Sequence, residues 1–223
     1  MTRPKALFAP ILLVLFLSSL VCAQEPFSWV GQRVVTKYHY PVKVENRVVD
    51  DGRWHIYTVG RVNGDWLWVT WQSIEGWLPV SQVVPFDQAI DFYTQEIRAN
   101  AGNSGAWMSR GLIWQSKNEC DIAIADFNEA IRLNPGFSTA YESRGRAWQD
   151  KKEHHKAIAD FNDAIRLNPT YAWDFIDRGN SWFDKKEYDK AIADYNEAIR
   201  LNPKFAEAHN NRGNVWLHKK DFD

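Results

Sequence analysis

The chain has 223 residues, 45% hydrophobic and 25% charged, with a formal net charge of −1. This is the make-up of an ordinary folded protein with room for one or two domains. The even charge balance removes the electrostatic case for nucleic acid as a partner.

Residues 1–23 have the layout of a secretory signal. Arg3 and Lys5 precede an apolar run over 7–21, and Val21-Cys22-Ala23 puts small residues before a cleavage point. Cleavage predicts an exported protein, periplasmic or secreted. An uncleaved membrane anchor is the alternative, because the apolar run approaches the ~18 residues that span a bilayer. Pro10 and Ser18-Ser19 favour cleavage. Cys22 also admits a lipoprotein reading, which the bulk of Val21 disfavours. After cleavage Cys120 is the one cysteine left, so no intramolecular disulfide is expected. Its place at the start of a helix points to packing.

Residues 27–85 carry strand patterning and six of the 12 tryptophans: Trp29, Trp54, Trp66, Trp68, Trp71 and Trp77. Short strands are expected at 33–36 and 42–44. Stronger ones follow at 55–62 and 65–71, with a hairpin turn at Asn63-Gly64 between them. Glu75-Gly76 reads as a further tight turn before strands at 77–80 and 83–84. Asp50-Asp51-Gly52 reads as a turn, since the spacing of a calcium loop is absent. Several short strands in so few residues predict a small barrel. The segment WLWVTWQSIEGWLPVSQVV resembles the bacterial SH3-like family, in which a Trp-rich hairpin precedes a Gly-Trp strand and a last short strand. The resemblance covers 33–84, and the strands before Gly60 match it less well.

From Phe86 onward the signals are helical and periodic. Asn-Pro stands at 134–135, 168–169 and 202–203, a step of 34 residues each time. The surrounding sequences are CDIAIADFNEAIRLNP, HHKAIADFNDAIRLNP and YDKAIADYNEAIRLNP. A fixed period of this length predicts stacked helical hairpins. Gly and Ala at facing positions let helix backbones approach, aromatics fill the seam, and Pro ends the second helix. The first full unit carries Trp107, Gly111, Trp114, Ala123, Phe127, Ala130 and Pro135. Tyr141, Gly145, Trp148, Ala157, Phe161, Ala164 and Pro169 repeat the set, as do Phe175, Gly179, Trp182, Ala191, Tyr195, Ala198 and Pro203. A fourth set opens with His209, Gly213 and Trp216. These residues resemble the tetratricopeptide repeat family closely. The expected fold is therefore α+β and multi-domain. An SH3-like β-barrel at 27–85 precedes a tetratricopeptide repeat (TPR) solenoid at 86–223. The solenoid divides into a half unit at 86–101, units at 104–137, 138–171 and 172–205, and a partial unit at 206–223.

The expected helices run over 86–99, 104–117, 120–133, 138–151, 154–167, 172–185, 188–201 and 206–219. Trp114, Trp148 and Trp182 are expected to be buried between helices, and Trp216 to be far more exposed. The lysine pairs Lys151-Lys152, Lys185-Lys186 and Lys219-Lys220 recur in the turns beside acids and predict a solvated edge. Arg110, Arg144, Arg178 and Arg212 recur before each glycine, and Asp126, Asp160 and Asp194 recur in each second helix. Structural ion-paired rungs and a ligand-facing arginine row are the two readings.

No nucleotide, nucleophile-elbow, zincin or CxxC signature occurs, so no enzyme activity, cofactor or metal is expected. His154-His155 are adjacent on a helix and diverge too far to chelate. The resemblance implies a binding groove lined by the first helix of each unit. By position it would contain Met108, Leu112, Gln115, Glu142, Arg146, Gln149, Trp173, Ile176, Asn180, Phe183, Asn210, Asn214 and Leu217. Of these, Glu142, Arg146, Trp173, Ile176, Asn180, Phe183, Asn210 and Asn214 are the candidate partner-binding residues. Asn180 and Asn211 match two positions of the family's carboxylate clamp, but Ile176 replaces its lysine, which argues against that clamp.

Two functions remain open. One is a non-catalytic exported scaffold that holds a protein or peptide on the concave face. The other is a cell-wall or ligand-targeting module acting through Trp66, Trp68, Trp71 and Trp77. Strand alternation prevents all four from pointing one way, unless a bulge intervenes for Trp71. Self-association through the exposed face of the last helix is a further expectation.

Overall fold

The computed structural model describes residues 28–37, 43–44, 47–48, 55–72 and 74–220. Residues 1–23, Trp54 and Asp50-Asp51-Gly52 lie outside the described residues.

Seven strands among the described residues form one sheet. They are β1 (Arg33–Thr36), β2 (Lys43–Val44), β3 (Arg47–Val48), β4 (Tyr57–Asn63), β5 (Trp66–Trp71), β6 (Ile74–Pro79) and β7 (Val83–Pro85). Their order is β3-β2-β6-β5-β4-β1-β7, antiparallel throughout, which is consistent with the SH3-like expectation. Alternation decides the faces. Tyr57, Val59, Leu67, Val69 and Leu78 are buried together with Val34, Ile74 and Val83.

Two turns differ from expectation. Asn63 pairs with Trp66, so the hairpin reverses through Gly64-Asp65, with Gly64 at φ 56. Glu75-Gly76 is no turn: both residues lie inside β6, paired with Thr70 and Val69. The chain reverses between the paired Trp71 and Ile74 instead, and Gln72 takes φ 48. Gln72 is not a residue type that advertises a left-handed turn, whereas glycine is also tolerated inside a strand.

Among the described residues eight helices follow: α1 (Ala89–Ala99), α2 (Ser104–Ser116), α3 (Cys120–Leu133), α4 (Ser138–Asp150), α5 (His154–Leu167), α6 (Ala172–Asp184), α7 (Tyr188–Leu201) and α8 (Ala206–Lys220). The 34-residue period places them within a residue or so, except that α1 begins three residues late. There the Phe86 N–H donates to the Arg33 carbonyl at 2.9 Å, which keeps Phe86 on the sheet.

Within each hairpin the first helix ends in a Schellman motif. Lys152 N–H donates to Gln149 O and Glu153 N–H to Trp148 O; Lys186 and Glu187 repeat this with Phe183 and Trp182. The left-handed residue is Asn118, Lys152 or Lys186, at φ 61 to 64. The seam is closed by glycine and a ring. A Cβ built on Gly111, Gly145 or Gly179 would stand 2.6, 2.9 and 2.7 Å from Phe127, Phe161 and Tyr195. No other residue type fits so close an approach.

Trp114, Trp148 and Trp182 are half-buried, a correction to their expected full burial. Lysines cover the Trp148 and Trp182 rings in place of carbon. Lys156 Nζ lies 4.4 Å from the Trp148 ring centroid and Lys190 Nζ 4.5 Å from that of Trp182. The lysine edge is correspondingly mixed. Lys151, Lys152 and Lys186 are exposed, but Lys185 and Lys219 are half-buried. Trp216 is 48% exposed, as expected.

The sheet closes the start of the array. Tyr93 of α1 holds the same repeat position as Tyr195, yet no first helix precedes it. Its ring is fully buried among Val35, Val84, Phe86, Ala106 and Ile113. Its hydroxyl donates to the Thr36 and Lys37 carbonyls at 2.8 and 3.1 Å. The β1–β7 edge of the sheet thus packs on α1 where no first helix does.

Candidate concave binding face

The first helices α2, α4, α6 and α8 meet one another along one face of the array. The recurrent arginines do not line it as free cations. Arg144 Nε and a second guanidinium nitrogen donate to the two carboxylate oxygens of Asp160 at 2.8 and 2.6 Å, and the third donates to Asn128 at 2.6 Å. Arg110 grips Asp126, and Arg178 grips Asp194, in the same bidentate way. Each arginine therefore ties its own second helix to that of the preceding unit. The structural-rung reading holds, and the ligand-facing row does not. Burial pushes the Asp160 and Asp194 carboxyls upward against the pull of these arginines.

On the face itself, α4 and α6 are joined by charge. Arg146 Nε donates to Asp177 at 2.8 Å, and another of its nitrogens bonds Glu142. Gln149 donates to the Asp177 carbonyl and to Ser181 Oγ at 2.7 and 2.8 Å. Burial alone would lower the Arg146 pKa, but the Asp177 and Glu142 carboxylates outweigh it and raise it. These three side chains are spent on one another, and Glu142 is buried.

One repeat further, amides replace the ion pair. Asn180 and Asn211 stand where Arg146 and Asp177 stand, and Asn211 Nδ2 donates to Asn180 Oδ1 at 3.0 Å. The Tyr195 hydroxyl donates to the same oxygen at 2.8 Å. Burial pushes the Tyr195 phenol well above its ordinary value, so it remains a donor. A pocket of about 200 Å³ opens here, lined by Asn180, Phe183, Tyr195, Asn211, Asn214 and His218. The His218 ring meets Phe183 edge-on at 5.2 Å.

The structure therefore brings Asn180, Phe183 and Asn214 together, with Asn210 exposed on the same helix as Asn214. It removes Ile176 and Glu142 from any accessible wall. Ile176 is fully buried in the α6–α8 core, and Trp173 packs edge-on against Phe205 at 4.4 Å. Sequence reasoning missed Tyr195 and His218 as pocket residues. Tyr195 carried a signal, being a tyrosine where the other units have Phe127 and Phe161.

On the sheet, Trp66, Trp68 and Trp77 share the outer face. Trp66 is 46% exposed, Trp68 meets Trp77 at 5.3 Å across the strands, and the Arg61 guanidinium lies 4.8 Å from the Trp68 ring. Trp71 is not part of this set. It packs on the inner core and stacks on His55 at 3.6 Å.

Comparison with known proteins agrees with the array geometry. Residues 115–172 match the model described as tetratricopeptide repeat, and residues 179–219 match the model described as TPR repeat. The helical array is a tetratricopeptide repeat array, the class of fold that presents a surface to protein partners. Among solved structures, MamA is similar at 27% identity and TM-score 0.58, over 60% of this chain and 79% of that one. A MamA segment from Desulfovibrio magneticus RS-1 has the same TM-score at 17% identity, over 61% and 77%. The first TPR of Spaghetti (RPAP3), bound to the HSP90 peptide SRMEEVD, matches at 22% identity and TM-score 0.51, over 52% and 93%. Comparison with curated proteins gave no match.

Proposed function

We propose that the chain is a non-catalytic, exported scaffold that holds a protein segment in the α6–α8 part of the concave face. The observation that carries this reading is the change of lining from a spent ion pair at Arg146–Asp177 to amides and rings at Asn180, Asn214, Phe183 and His218. Amides of this kind both donate to and accept from an extended backbone, and the rings take an apolar side chain. Asn180 Oδ1 already receives two bonds, which fixes the amide and presents its NH2 group to the pocket. Export rests on the signal-like pattern of residues 1–23 alone. Among the described residues no helix is long and apolar enough to cross a membrane.

The Trp66-Trp68-Trp77 face favours a second reading, in which the sheet contacts a cell-wall or other ligand and the array couples it to a protein. A photo-crosslinking residue placed at Asn214 and, separately, at Glu75 beside the tryptophans distinguishes the two in the native host. The scaffold reading expects protein adducts from position 214. Adducts from position 75 alone would overturn it in favour of the sheet.

A further inference from the structure

The pocket between α6 and α8 has a counterpart one repeat earlier. At that step its lining positions Asn180, Phe183, Tyr195 and Asn211 correspond to Arg146, Gln149, Phe161 and Asp177. There the Arg146 guanidinium bridges α4 and α6, bonded to Asp177 and Glu142, and Gln149 bonds the Asp177 carbonyl and Ser181 beside it. Between α6 and α8 the short amide of Asn180 stands in place of that guanidinium, and the pocket of about 200 Å³ opens. A site for a drug-sized ligand starts at about 300 Å³, so this one suits a single long side chain.

The walls set the charge of that side chain. No lysine or arginine lines the pocket. Other rings of the first helices carry a cation of the chain itself: Arg144 over Tyr141, Arg178 over Phe175 and Lys190 over Trp182. Phe183 meets the rings of Tyr188 and His218 at 5.8 and 5.2 Å, and among the described residues no lysine or arginine lies over it. Asn211 Nδ2 is spent on Asn180, which leaves Asn211 Oδ1 as an acceptor. Carboxylates surround the floor. Burial first, and then Asp184, Asp194, Glu207 and Asp177, push the Tyr195 phenol upward. Arg178 holds Asp194 and Arg146 holds Asp177, whereas Asp184 faces only His154 Nδ1, at 3.6 Å, among the described residues.

We propose that this pocket takes a basic side chain, arginine or lysine, from the bound protein segment; the proposal rests on the scaffold reading above and names its anchor. The aliphatic stem lies along Phe183 and His218, and the cation sits over the Phe183 ring and bonds Asn211 Oδ1. The surrounding carboxylates favour a cation and repel an acidic side chain. The incoming group takes the place that the Arg146 guanidinium holds one repeat earlier.

The test uses blocked pentapeptides Ac-Ala-Ala-Xaa-Ala-Ala-NH2 with Arg, Lys, citrulline, norleucine or Glu at the centre. Each is titrated into the full chain at pH 7.5, and the side-chain amide signals of Asn180 and Asn211 are followed by NMR. The Arg and Lys peptides should saturate, citrulline and norleucine should bind at least tenfold more weakly, and Glu should leave the signals unmoved. The double variant Asn180→Arg, Asn211→Asp rebuilds the Arg146–Asp177 pair and should abolish binding of the Arg peptide. Phe183→Ala keeps the amides and should weaken it at least fivefold. Binding of citrulline or norleucine as tight as that of Arg overturns the basic anchor and leaves the scaffold reading standing. Arg-peptide binding that neither variant weakens also overturns the anchor. If no peptide moves these signals, the anchor falls, and the crosslinking at position 214 decides the scaffold reading separately.

Discussion

The ring of Phe161 stands 2.9 Å from where a Cβ on Gly145 would be, and no described residue stands within 4 Å of the same point on Gly213. The two glycines hold the same place in their repeats, so they form a matched pair. Gly145→Ala gains about 1 kcal/mol of helix propensity but forces the ring and two helices apart, and the net effect is a loss of about 1–3 kcal/mol. Gly213→Ala keeps the propensity gain, so stability rises by up to about 1 kcal/mol. Urea unfolding of both variants checks the opposite signs.

The arginine rungs predict a graded series. Asp160→Ala leaves a half-buried guanidinium without its carboxylate and should cost about 2–3 kcal/mol. Arg212→Ala removes one bond to a neutral amide and should cost about 1 kcal/mol or less. Denaturant midpoints that put the two variants level would count against the rung as a structural tie.

The left-handed Lys152 and Lys186 spend energy on a conformation that glycine adopts freely. Both are exposed, and it is Lys151 and Lys185, with Lys156 and Lys190, that lie over the tryptophans. Lys152→Gly and Lys186→Gly should each stabilise by about 0.5–1 kcal/mol. Thermal melts showing a fall instead would mean these side chains hold the turn through contacts of their own.

Most of the array was legible because a repeat writes its structure three times. The period fixed the helix ends, and the Gly–aromatic pairing named the seam. What escaped was what a neighbouring side chain decides. Ile176 reads as a groove residue by position, yet packing of α6 against α8 buries it. Trp148 and Trp182 read as core, but lysines reach over them from the next helix. In the sheet the turn at Gln72 was hidden because its residue type gives no warning, while Gly76 gave a false one. The pocket at Asn180 was half visible: the asparagines were marked, but Tyr195 joins them only through the α6–α7 contact.

Cys120 offers a chemical check. Burial pushes its thiol above the ordinary value, and the nearby Asp150 and Asp121 push the same way. Little thiolate is then present at neutral pH, so alkylation by iodoacetamide at pH 7.5 should run slower than that of free cysteine. The rate should climb as pH rises through the elevated pKa. A rate matching or exceeding that of free cysteine at pH 7.5 would contradict the assignment.

Tyr93→Phe tests the joint between sheet and array. It strips the Thr36 and Lys37 carbonyls of a shared donor and should cost about 1–3 kcal/mol. Hydrogen exchange should quicken in β1 and α1 before it does in α6 or α7. Uniform quickening along the whole chain would mean the joint is not a local contact.

Because the β1–β7 edge of the sheet packs on Tyr93 where no first helix does, the molecule has an origin as well as a period. Every later unit sits at a whole number of steps from the sheet. Duplicating one 34-residue unit between α3 and α7 would carry Arg212 and Trp216 one step further out while leaving the surroundings of Tyr93 untouched. The sheet works as the zero of a ruler. The distance between its tryptophan face and the far end of the array is set by how many repeats are counted off from it.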